Sequence, residues 1–225
     1  MAEIVYLDSP LESEALFERL CPPVRQWFKD KFPDFTPPQK LAIPAIMDQQ
    51  HLLLCSPTGS GKTLTAFLTV IDQLVRLALE RKLEKKVHAI YISPIKALAN
   101  DIQRNLIGPL NEITEHYLPD RAQEIRVGLR TGDTSQSDRQ KMLRNPPHIL
   151  ITTPESLAIA ITSPRFQPIV SEVEYMIIDE LHSMVSTKRG VHLSLTLSLL
   201  DSLLKNPVQR IGISATMEPL ETVAE

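Results

Sequence analysis

Residues 51–63 read HLLLCSPTGSGKT. An apolar run, LLLC, leads into a loop of small residues, and Lys62-Thr63 then opens a long amphipathic stretch. A strand that enters a glycine-bearing loop and leaves as a helix is built to hold phosphate. Gly59 and Gly61 accept backbone angles closed to other residues, and their amides can close around phosphate oxygens, in a nucleotide-binding loop that also holds Ser56, Pro57, Thr58 and Ser60. The helix N-terminus adds partial positive charge. Lys62 is expected to reach the β- and γ-phosphates, and the Thr63 hydroxyl to meet magnesium. The strict pattern G-x-x-x-x-G-K-[ST] asks for glycine at position 56, where this chain has Ser56. The strand before the loop and the helix after it supply the context that the departure weakens. The competing reading is a glycine-rich turn with no ligand.

Outward from this loop the pattern repeats. HAIYISP, IRVGLRTG, HILITTP, YMIIDELH and RIGISAT are further short apolar runs, separated by stretches with leucine, isoleucine and valine at helical spacing. Strands apolar on both faces that alternate with helices predict an α/β fold, a mainly parallel sheet covered by helices on both faces. In such sheets ligands sit beyond the carboxyl ends of the strands. SPTGSG, SPIK, RTGD, TTPES, DELH and SAT are therefore expected on one edge. Residues 1–34 read as a helical lead-in broken by prolines, and QKLAIPAIMDQQ as a helix interrupted near Pro44.

YMIIDELH places Asp179 and Glu180 at the end of an apolar run. Phosphoryl transfer needs one group to hold magnesium and another to orient the attacking water. Asp179 suits the metal and Glu180 the water; an ordinary charged strand terminus is the plain alternative. His182 could equally be a surface or interface histidine.

Composition sets outer bounds. The chain has 225 residues, 43% hydrophobic and 23% charged, enough for one sizeable core. The net charge of −3 argues against a surface coated in cations for nucleic acid but leaves room for a local strip. No apolar run is long enough to cross a bilayer, so no membrane partner is expected, and the N-terminus lacks the pattern of a signal peptide. Cys21 and Cys55 form neither a pair pattern nor a metal spacing, which fits a reducing cytoplasm.

SPTGSGKT, SPIKALAND, TTPES, DELH and SAT stand in the order of the ATP-binding domain of superfamily 2 helicases. The resemblance runs over about residues 35–217. It implies a P-loop NTPase RecA-like first domain at 35–225, using ATP and magnesium. DELHSMVSTKRGVHLSLTLSLL, with Lys188-Arg189-Gly190, looks like the large helicase-related (Lhr) group, near the Ski2-like helicases. FTPPQKLAIPAI resembles the adenine-recognising element of these proteins. The Gln39 amide can both donate to and accept from an adenine edge; Phe35 either packs on the base or belongs to the core.

Further roles follow from the resemblance. Pro94, Lys96 and Ala97, then Thr131, Gly132 and Asp133, then Thr153, Pro154 and Glu155 match nucleic-acid backbone contacts. Ser214, Ala215 and Thr216, with His182, match the elements that couple hydrolysis to strand movement. A plain strand-to-helix turn or N-cap is the alternative at each. The resemblance implies a motor on single-stranded nucleic acid, with DNA favoured over RNA, 3′-to-5′ movement and a role in repair. It also implies a second RecA-like domain whose motifs are not in these 225 residues. The expectation for this chain alone is weak nucleotide binding, slow hydrolysis and no unwinding. A non-catalytic module with a degenerate site is the rival from another class; intact Lys62, Thr63, Asp179 and Glu180 argue against it. A transporter-type ATPase lacks its signature before the acidic strand.

Overall fold

Six strands form one all-parallel sheet: β1 (Leu52–Cys55), β2 (Ala89–Ile92), β3 (Val127–Arg130), β4 (Ile149–Thr152), β5 (Tyr175–Ile178) and β6 (Gln209–Ser214). Their spatial order is β1-β6-β5-β2-β4-β3. The structure is a computed structural model and describes residues 4–57, 59–94, 101–120 and 122–215. Each strand is one of the apolar runs of the sequence. Alternate side chains enter two separate cores, as the strand period of two requires. On β2, Ala89 and Tyr91 join the core on one face and Ile90 and Ile92 the core on the other. On β5, Tyr175 and Ile177 part from Met176 and Ile178 in the same way.

Helices cover both faces. The first face carries α1 (Ser13–Arg19), α2 (Pro22–Lys31), α3 (Pro37–Met47), α4 (Lys62–Leu79) and α5 (Gly108–His116). α6 (Gln136–Arg144) lies beyond β3, while α7 (Pro154–Ile161), α8 (Gln167–Val170) and α9 (Lys188–Leu203) serve the second face. α5 is entered through one π-helical turn, Gln103–Ile107, closed by the bond from Gly108 N–H to the Gln103 carbonyl. Pro109 follows at once and cannot donate, so the wider turn is where the helix absorbs it.

Pro44 does not interrupt its helix, contrary to the sequence expectation: α3 runs through it to Met47. A proline orphans the carbonyl four residues back. Here that carbonyl, of Lys40, accepts instead from Leu11 N–H at 3.1 Å. The lead-in is therefore tied to α3 at the point where α3 is weakest. It packs on α3, α4 and α5 rather than directly on the sheet, with α3 reaching β1. Asp72 of α4 is 3% exposed and accepts from Cys21 N–H at 2.6 Å and from Arg76 Nε at 2.7 Å. Arg76 reaches back to the Arg19 carbonyl at 2.5 Å. One buried carboxylate thus fastens the α1–α2 junction to α4.

The parallel register brings Cys55, Ile92, Arg130, Thr152, Ile178 and Ser214 to one edge of the sheet, and the loops that follow them share that edge.

Candidate functional site

The phosphate loop leaves β1 at that edge. Gly59 and Gly61 have φ of 83° and 85°, left-handed angles that L side chains rarely adopt. Gly61 is the N-cap of α4, so Lys62 and Thr63 are its first two helical residues. Lys62 Nζ folds back to donate to the carbonyls of Ser56 at 2.5 Å and Pro57 at 2.8 Å. Ser56, in place of the usual glycine, has its hydroxyl 2.6 Å from that of Ser60 and is largely buried. Its N–H donates to the Ser214 carbonyl at 3.3 Å, so the loop is anchored to the end of β6. Thr58 lies outside the described residues.

A brace from α3 supports the loop from below. Thr36 caps that helix, and its N–H donates to Gln39 Oε1 at 2.9 Å. The Thr36 hydroxyl donates to the Ser60 carbonyl at 3.1 Å. Gln39 is 3% exposed, and a Cβ added at Gly61 would stand 3.0 Å from its Nε2. Gln39 thus has its acceptor engaged by Thr36, with its amide nitrogen against the loop. Phe35 is a core residue, its ring stacked on Phe28 at 4.2 Å between centroids.

Beside the loop, β5 ends in the acidic pair. Asp179 is 4% exposed and accepts from the Tyr91 hydroxyl at 2.5 Å and from Glu180 N–H at 2.7 Å. Burial pushes its carboxyl above the usual carboxylate range, against the two hydrogen bonds that favour the ion. Burial and the same carboxylate push the Tyr91 phenol up, so it stays a donor. Glu180 turns the chain at φ 55°, and a 3-10 turn, Leu181–Ser183, follows. His182 then bridges two strand ends. Its Nδ1 accepts from Ala215 N–H at 3.2 Å and lies 3.3 Å from Ser214 Oγ, and its own N–H donates to Ser214 Oγ at 3.2 Å. With Nδ1 accepting from the main chain, the ring proton belongs on Nε2, which stands 3.0 Å from Glu180 Oε2. A continuous path therefore runs from the β6 terminus through one imidazole to Glu180.

The remaining expected residues are spread along the same edge. Pro94 follows β2; Lys96, Ala97 and Thr216 lie outside the described residues. Thr131, Gly132 and Asp133 make a turn after β3, closed by Thr131 N–H donating to Thr134 Oγ1 at 2.8 Å. Thr153 is the N-cap of α7, accepting from Ser156 N–H, with Pro154 at the first helical position. Glu155 points elsewhere than its neighbours suggested. It accepts both arms of Arg189, from Nε at 2.7 Å and from Nη2 at 3.2 Å, and this guanidinium holds its carboxyl below the usual range. Gly190 follows, where an added Cβ would meet the Met184 carbonyl oxygen at 2.3 Å. The glycine lets α9 press directly against the loop after the acidic pair.

Sequence reasoning missed Thr36, Tyr91 and the Arg189 partnership. Tyr91 carried no signal, because it meets Asp179 only once β2 and β5 are known to be neighbours.

A family model described as DEAD/DEAH box helicase matches residues 36–223. The ATP-dependent helicase Lhr-Core of Methanocaldococcus jannaschii is 49% identical over the whole chain, which covers 27% of that protein. The ATP-dependent helicase Lhr-Core protein 2 of Thermococcus barophilus is 52% identical over 94% of the chain and 25% of its own length. The structure of Mycobacterium smegmatis helicase Lhr bound to ssDNA and AMP-PNP superposes with a TM-score of 0.81 at 45% identity, over 91% of this chain and 26% of that one. The chain spans about a quarter of the length of these relatives.

Proposed function

The chain belongs to the DEAD/DEAH box helicase family, and on that basis we propose that it is the ATP-binding part of an Lhr-like ATP-dependent helicase that moves along single-stranded DNA. The observation that carries this reading is the His182 bridge. It joins Glu180, the water-orienting candidate, to Ser214 and Ala215 beside the phosphate loop. A change at the γ-phosphate has a short path from there to the end of β6. In this reading residues 35–225 are a first RecA-like domain, residues 1–34 its lead-in, and a second such domain elsewhere in the full-length protein closes the site. Movement 3′-to-5′, a role in repair and a cytoplasmic location, which the unpaired Cys21 and Cys55 suit, complete it.

Lys62 exchanges its two loop carbonyls for phosphate oxygens, and Glu180 orients the attacking water. Gln39 turns its amide toward the base. Asp179 and Thr63 suit magnesium brought in with ATP, because that ion commonly takes only one or two protein oxygens and keeps its waters. The ion supplies charge neutralisation at the phosphates. Thr131, Gly132, Thr153 and Pro154 offer amides and hydroxyls to the strand backbone, joined by Pro94, Lys96, Ala97 and Asp133. Glu155 serves by holding Arg189.

ATPase measurement of the full-length protein with single-stranded DNA, RNA and duplex tests the reading. Single-stranded DNA is expected to raise turnover at least tenfold. Residues 1–225 expressed by themselves are expected to turn over about 1000-fold more slowly than the full-length protein, in which, on this reading, a second domain supplies arginines to the site. Stimulation by RNA alone would move the substrate to RNA; indifference to every nucleic acid would sink the motor reading.

Tyr91→Phe probes the metal role of Asp179. Removing the hydroxyl leaves the buried carboxylate with one donor while the ring keeps its packing on Phe67. Loss of a partner behind a metal ligand costs about 10- to 100-fold in metal affinity or activity. The magnesium concentration for half-maximal ATPase should rise about tenfold in the full-length protein. An unchanged magnesium titration would separate Tyr91 from the metal.

A further inference from the structure

Beyond β3 the sheet edge borders a cavity of about 380 Å³, away from the phosphate loop. α6 forms one wall and buries none of its own residues. Toward the cavity it turns Gln136, Arg139 and Gln140, with Leu143 the one apolar residue of the helix on that wall. Arg130 enters from the end of β3, and Ser163 and Arg165 come from the turn after α7. Three guanidiniums and no carboxylate line the space.

The charges are poorly compensated. Arg130 is 8% exposed, and its guanidinium lies 4.5 Å over the Phe166 ring. Among the described residues no ion pair joins Arg130, Arg139 or Arg165 to a carboxylate. Arg139 Nε is buried without a hydrogen-bond partner, while its Nη2 donates to the Thr131 and Gly132 carbonyls at 3.3 and 3.0 Å. Burial, and then the neighbouring Arg139, depress the Arg130 guanidinium below its ordinary value. A buried cation is normally paired. A fold that holds one buried and one half-buried guanidinium against one cavity, with a third, exposed one at its mouth, has built a site for an anion.

We propose that this cavity is a second phosphate site, which seats a backbone phosphate of the single strand as it passes the Thr131-Gly132-Asp133 turn. Guanidinium forks match phosphate oxygens, and the Ser163 hydroxyl and the Gln136 and Gln140 amides add neutral donors. The volume leaves room for an adjoining sugar, which favours a nucleotide chain over a free ion. The Arg139 bonds to the Thr131 and Gly132 carbonyls tie occupancy of the cavity to the shape of that turn. The strand as source rests on the motor reading above; inorganic phosphate is the other source of the same chemistry.

The test uses Arg130→Gln and Arg165→Gln, each in a Lys62→Ala background so that the phosphate loop does not compete. Arg165 is exposed, so its variant keeps the test alive if Arg130→Gln fails to fold. Inorganic phosphate is titrated against the Arg139 Nε–H NMR signal, and single-stranded DNA binding is followed over salt concentration. Each variant is expected to weaken phosphate about tenfold and to lower the slope of log K against log salt by about 0.7, one single-strand phosphate. A phosphate effect alone assigns the site to the free ion; a slope effect alone assigns it to the strand. If neither changes from the Lys62→Ala parent, the site is refuted. If no form binds single strands at all, the motor reading fails while the phosphate titration still judges the cavity.

Discussion

Lys62→Ala should lower ATP turnover by about 100- to 1000-fold, the usual cost of removing one preorganised charge from a transferring phosphoryl group. The expectation rests on where the lysine sits. As the first residue of α4, right after the left-handed Gly61, its ammonium is held over the loop by the Ser56 and Pro57 carbonyls. Phosphate oxygens are better partners for an ammonium than two carbonyls, so the same side chain that closes the loop opens to ATP. Alanine removes the strap and the charge together. The fold should survive, because the loop keeps the Thr36 to Ser60 bond and the Ser56 to Ser214 bond. ATPase assays of the full-length protein, with a melting curve of each form, check both parts. Unchanged turnover in Lys62→Ala would refute the site assignment.

Among the glycines, Gly190→Ala should be the most damaging change. The added Cβ would stand 2.3 Å from the Met184 oxygen and 3.0 Å from its carbonyl carbon, both backbone atoms. That carbonyl has little freedom, since it accepts from the Thr187 hydroxyl at 2.6 Å and from Thr187 N–H at 3.1 Å. The Thr187 oxygen in turn accepts from Gly190 N–H at 3.2 Å. Either α9 moves out or the segment between Glu180 and Met184 moves in, and His182 lies on that segment. A cost of about 3 kcal/mol is expected, at the upper end for overpacking. A loss of ATPase beyond that explained by unfolding should accompany it, measured well below the melting temperature. A denaturant midpoint and an ATPase rate equal to the wild type would show that the loop yields freely.

Much of this was legible in the residues. Six apolar runs flanked by turn residues became six parallel strands, because strands buried on both faces have no polar phase to confuse them. The sheet order was not legible, and everything that depends on it was hidden with it. Tyr91 is one more apolar-run aromatic until β2 lies beside β5. Glu155 falls with Thr153 and Pro154 in the TTPES match, and its pairing with Arg189 is hidden because that residue lies in a helix that packs on α7 only in the fold. His182 owes its defined tautomer to Ala215, a residue 33 positions away in the chain. Pro44 was read by its local rule as a break, and a distant amide, that of Leu11, overruled it. Local chemistry was readable; pairings between strands and helices far apart in the chain were not.

The strand order also sets a timetable. Among the described residues β1 is an edge strand whose one neighbour is β6, with Leu52 opposite Ile211. During synthesis at ~5–20 residues per second, the phosphate-loop strand waits roughly ten to thirty seconds for its partner to be made. Closing so long a loop is slow in refolding as well. The nucleotide pocket should therefore be among the last parts of the molecule to lock, and ATP the ligand that rescues late folding intermediates.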